Sequence, residues 1–208
     1  FLLGILLLSG SMRELLLTIT GFTLGHSITL FLGVLGFLKP VSGLVEALIG
    51  YSIALVALEY ITKNTNQFSF YSKILLVIWT FILIAVYFMG ERLLLAGLIG
   101  TALFSISYFL LVSRATTTNI TLIMTCFFGL VHGFGFGGYL AEIGLPSDRL
   151  VSALLGFNLG VELGQILIVL LFLLGAKLIS FKRSHFVGPL VASFLVSLGL
   201  YWFLVRIF

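Results

Sequence analysis

Apolar runs of near-bilayer length, separated by short polar breaks, organise this chain from end to end. About 20 apolar residues in a helix cross a hydrocarbon core of roughly 30 Å. On that measure the breaks predict spans near 14–38, 42–62, 72–89, 91–112, 119–141, 149–179 and 186–206. The opening stretch FLLGILLLSGS is about half a span long and is expected to be the remainder of a first helix whose start lies upstream. The break in YFMGERLL rests on Gly90, Glu91 and Arg92 alone. Two spans are expected there rather than one bent segment, because the combined run far exceeds a bilayer. The predicted fold is all-α: a polytopic transmembrane helical bundle of about seven full spans plus a truncated first helix, forming a single domain over 1–208.

Composition supports a bilayer as the solvent and the principal partner. Hydrophobic residues make up 61% of the chain and charged residues 9%, with a mean hydropathy of +1.28, whereas soluble domains carry about 25% charge. The single Cys126 excludes an internal disulfide and a cysteine-rich metal cage. A net charge of +4, spread along the chain, does not point to nucleic acid. It fixes orientation instead. Alternating loops place Arg13, Lys63, Lys73, Arg114, Lys177, Lys182 and Arg183 on one side, against Lys39, Arg92, Arg149 and Arg206 on the other, and the richer side is expected to be cytoplasmic. The missing start of the first helix then lies on the non-cytoplasmic side. Pro40 and Pro146 fall in outer turns, Asn64 to Ser69 is expected to form a polar cytoplasmic loop, and His185 sits in a basic interfacial one.

Three ionisable residues interrupt the apolar runs near mid-span: His26 in TGFTLGHSITLFLG, His132 in CFFGLVHGFGFGG and Glu162 in LLGFNLGVELGQ. At about 1.5 Å per residue all three lie near the midplane, where an ionisable side chain costs kilocalories unless paired, liganded or facing water. One buried histidine is as readily a helix–helix hydrogen bond as a ligand. Three such groups at one depth favour a shared site. Asn158, Glu162 and Gln165 form one polar stripe, and Gly156, Gly160 and Gly164 a small-residue stripe roughly opposite. With both faces committed, the 149–179 helix is expected to be central and to contact both the 14–38 and 119–141 helices. The glycines around His132 imply close packing or local unwinding at a binding site; no strand precedes them, so they are not a nucleotide fingerprint. Glu46, Glu59 and Glu142 lie at different heights along the membrane normal and are candidates for a cation pathway.

The stretches GFTLGHSITLFLGVLG, LVEALIGYSIALVALEY, GLVHGFGFGGYLAEIGLP and LLGFNLGVELGQ resemble the HupE/UreJ group of hydrogenase and urease accessory membrane proteins, in particular its longer second branch. That resemblance implies a permease for nickel or cobalt in a bacterial inner membrane, with His26, His132 and Glu162 as the metal-holding residues. Phe136 stands where the shorter branch carries a second histidine.

Imidazole, carboxylate and amide oxygen suit borderline divalent ions, so zinc or copper would also be accommodated. A dication offsets the buried charge of Glu162. Asn158, Gln165 and Ser27 are expected as additional ligands or as hydrogen-bond partners that orient the ligands. Two readings of other classes stand beside this one. Midplane histidines on different helices are also the pattern of a haem-binding electron-transfer subunit, and a structural membrane partner, as a homo-oligomer or accessory subunit, needs no cofactor. No nucleophile, base and oxyanion set is evident, so no enzyme activity is expected.

Overall fold

The computed structural model describes residues 1–114, 118–143, 149–178 and 186–208. Among the described residues eight helices run in order: α1 (Leu2–Leu8), α2 (Met12–Val34), α3 (Ser42–Thr65), α4 (Phe68–Met89), α5 (Arg92–Arg114), α6 (Thr118–Ile143), α7 (Leu150–Leu178) and α8 (Val187–Ile207). No strand occurs among the described residues. Six of these helices are long and apolar enough to cross a membrane by length and composition. In α6 the described apolar segment is Thr121–Gly137, within a helix of 26 residues. This is an integral membrane protein built as a helical bundle.

Local chemistry accounts for the boundaries. Ser11 caps α2 by accepting from the Glu14 backbone N–H at 3.2 Å, and the Glu14 carboxylate accepts from Gly10 N–H at 3.1 Å, a reciprocal capping box that separates α1 from α2. Gly36, at φ 74°, ends α2 in the left-handed conformation, with Phe37 N–H returning to the Leu32 carbonyl at 3.1 Å. Gly90, at φ 79°, does the same after α4, so the YFMGERLL break is a real turn between two helices. The polar loop expected over Asn64 to Ser69 is shorter than predicted. Helix α3 continues to Thr65 and closes on Asn66 at φ 54°, leaving only Gln67 before α4. Asparagine tolerates this left-handed position better than other side chains.

Helices α2 and α6 form the most extensive pair and run parallel. Glycine makes their approach possible. A Cβ on Gly25 would meet the backbone of Cys126, one on Gly129 the Phe22 carbonyl, and one on Gly133 the His26 carbonyl. Further along, Gly33 faces Gly137, and Thr29 Oγ1 donates to the Leu130 carbonyl at 2.6 Å. Helix α3 packs on α6 and on α8, where a Cβ added to Gly50 would lie 3.0 Å from the Gly199 carbonyl. Helix α7 packs on α2.

That last placement corrects the expectation of a central α7. Only 11% of its apolar window is buried, against 56% for α2 and α3. Among the described residues it meets α6 through the ring pair Phe136 and Phe157 at 5.7 Å. Gly156, Gly160 and Gly164 meet no atom within 4 Å of a Cβ built on them. A small-residue stripe marks the capacity for close approach, not its partner, and here α2 and α6 use each other's glycines. Leu155, Leu159, Leu163, Leu167 and Leu171 are exposed, as suits a lipid-facing surface.

Candidate functional site

His26 projects from α2 and is 2% exposed. Neither ring nitrogen has a hydrogen-bond partner. Aromatic rings surround it: Phe22 stacks at 6.0 Å between centroids, Phe157 stacks at 6.4 Å, and Phe136 meets it edge-on at 5.7 Å. His132, on α6, lies across Phe22, whose centroid is 5.1 Å away, and its Nε2 is 2.9 Å from Ser52 Oγ on α3. The two imidazoles therefore flank one phenylalanine within the α2–α6 core.

The polar stripe of α7 meets α2 through Gln165. Thr23 Oγ1 donates to Gln165 Oε1 at 3.3 Å, and one turn away Val169 joins the apolar cluster of Ile19. The two helices are thus antiparallel, and continuing their register brings Glu162 to the level of His26. Asn158 is buried; its Nδ2 donates to the Leu154 carbonyl at 3.0 Å, while Oδ1 has no partner. Glu162 is partly exposed and has no hydrogen bond or ion pair among the described residues. Ser27 donates to its own helix at the Thr23 carbonyl, 2.7 Å.

The structure does not draw His26, His132 and Glu162 into one cluster: no three His, Cys, Asp or Glu side chains among the described residues stand within reach of one metal ion. What it brings together is His26 with Phe157 of α7, and His132 with Ser52. The pairing of His132 with Ser52 went unseen in the sequence. Ser52 also donates to its own helix, at the Ile49 carbonyl, 2.7 Å.

The carboxylates proposed for a pathway have different fates. Glu46 forms an ion pair with Arg206 of α8 at 2.7 Å, both about two-fifths exposed. Glu59 is buried and takes a hydrogen bond from the Tyr108 hydroxyl and an ion pair from Lys63 at 2.7 Å. It lines a small cavity of about 40 Å³ near the start of α2, together with Glu14, Thr18 and Thr125. The Glu142 side chain, like Pro146, Asp148 and His185, lies outside the described residues.

The packing also bears on the haem alternative. The α2 and α6 backbones touch at Gly25, Gly129 and Gly133, on either side of both histidines. Two histidines on helices in backbone contact leave no slot for a porphyrin between them. Imidazole, amide oxygen and carboxylate without thiolate fit a borderline divalent cation carried as substrate.

No curated protein and no solved structure matches the chain. The family described as HupE / UreJ protein matches it in two regions, residues 1–99 and 91–206, which together cover nearly its whole length. On that match, the chain belongs to the HupE/UreJ family.

Proposed function

We propose that this protein is a membrane permease for a divalent transition-metal cation, nickel or cobalt first, which passes a midplane site built from His26, His132 and Glu162 with Asn158, Gln165 and Ser27 near them. The observation that carries this reading is His26: a buried imidazole with two unpartnered nitrogens, on a helix against which α7 packs with the buried Asn158, whose amide oxygen also lacks a partner. Buried polar atoms are almost always satisfied, and membrane burial raises the cost of leaving them bare. A cation resolves all three at once. Family membership supports the same substrate class, and mixed nitrogen and oxygen ligands bind weakly enough for release. The protein works in a bacterial inner membrane, with the Lys- and Arg-rich loops facing the cytoplasm.

Radiometal uptake by cells at matched expression tests the reading. His26→Ala, His132→Ala and Glu162→Gln together are expected to reduce nickel or cobalt uptake to the vector background. Wild-type uptake by the triple variant would overturn the assignment of these residues to transport.

A further inference from the structure

The chain carries one pattern twice. Laid over each other without a gap, residues 26–59 and 132–165 match His26 with His132, Pro40 with Pro146, Gly50 with Gly156, Tyr51 with Phe157 and Ser52 with Asn158. The two regions matched by the family divide the chain in the same way. The helices follow suit. Helix α2 lies parallel to its counterpart α6; α3 packs on α6, and its counterpart α7 packs on α2. The two halves are thus related by an approximate twofold axis along the helices, the arrangement of parallel repeats in transporters.

This relation makes the contacts of the two histidines comparable. His132 is met by Ser52 at 2.9 Å. The equivalent pair is His26 and Asn158, and there the contact is not made. The only buried side-chain nitrogen or oxygen atoms without a partner, among the described residues, are the two ring nitrogens of His26 and Oδ1 of Asn158. One half-site is closed by its own hydroxyl; the other is open on both sides. The repeats also differ in charge, because Glu162 stands where the first repeat has Val56. The open half-site therefore has the carboxylate as well, at the level of His26.

We infer that the two half-sites have diverged, and that the divalent cation is held by the second alone, through His26, Asn158 and Glu162. This rests on the permease reading and narrows its ligand set. His132 is a positioning residue: bonded to Ser52 and packed on Phe22, it sets the ring against which His26 lies. The divergence follows from chemistry. Serine closes a histidine with one short hydrogen bond, whereas an amide oxygen beside a carboxylate leaves hard and borderline donors facing an imidazole, a set that a dication binds.

The test uses the full chain in lipid nanodiscs with nickel as the probe. Asn158→Ala is expected to weaken nickel affinity about 10- to 100-fold and His26→Gln to abolish measurable binding. Ser52→Ala should stay within about threefold of wild type. Nickel-edge X-ray absorption of the loaded protein supplies a readout that folding does not move: one imidazole in wild type and an unchanged spectrum in His132→Gln. Two imidazoles in wild type, or wild-type affinity in Asn158→Ala, would overturn the inference and leave the permease reading standing. A wild-type protein that binds neither nickel nor cobalt would overturn both.

Discussion

Glu59 shows how burial decides which of two partners matters. Its carboxylate is buried, Tyr108 is 3% exposed, and Lys63 keeps 45% of its side chain in contact with solvent. A hydrogen bond from a buried hydroxyl to a charged group contributes about 1.5–3 kcal/mol. An ion pair with so exposed a lysine contributes about 0–1 kcal/mol after screening. Tyr108→Phe is therefore expected to lower stability by roughly 2 kcal/mol and Lys63→Gln by less than about 1 kcal/mol. Thermal unfolding followed by circular dichroism in detergent compares the two. Equal losses would show that the lysine secures the carboxylate as much as the tyrosine does. The sequence placed Glu59 near a helix end but offered no sign of Tyr108, since that partner comes from α5.

Among the helices, two glycine stripes of similar appearance do opposite things. On α6, Gly129 and Gly133 admit the backbone of α2; on α7, Gly156, Gly160 and Gly164 admit nothing. Overfilling a close-packed contact costs about 1–3 kcal/mol, and rigid backbone is what a new side chain meets at Gly129. Gly129→Ala is expected to fall in that range. In contrast, Gly160→Ala should be neutral or stabilising by up to about 1 kcal/mol, because alanine favours helix. Chemical denaturation in matched micelles measures both. A destabilised Gly160→Ala would mean that α7 is covered by another helix in the membrane.

For the molecule as a whole, a substrate bound by the folded state raises its stability by mass action. Nickel at 100 times its dissociation constant contributes about 2.7 kcal/mol. The expected result is a rise in the unfolding temperature of wild type with nickel, and no rise for Glu162→Gln, read by differential scanning fluorimetry with the chelated protein as reference. The same rise in the variant would show that nickel binds elsewhere.

The run lengths of apolar residues determined the helices and, to within four residues, their ends, because a bilayer admits little other than helices of about that length. They also determined which polar residues lie at depth. Gly90 and Asn66 could mark turns because left-handed backbone is a local property. What sequence did not determine was who packs on whom. An apolar face is equally content against lipid or another helix, so hydrophobicity cannot rank α7 against α6 as the centre of the bundle. Tertiary structure made that choice where glycine on one helix met backbone on another, at Gly25, Gly129 and Gly133. The same choice gave His132 a hydroxyl from α3 and left His26 with two bare nitrogens, because hydrogen bonds between distant helices depend on register and crossing, which no run of residues encodes alone.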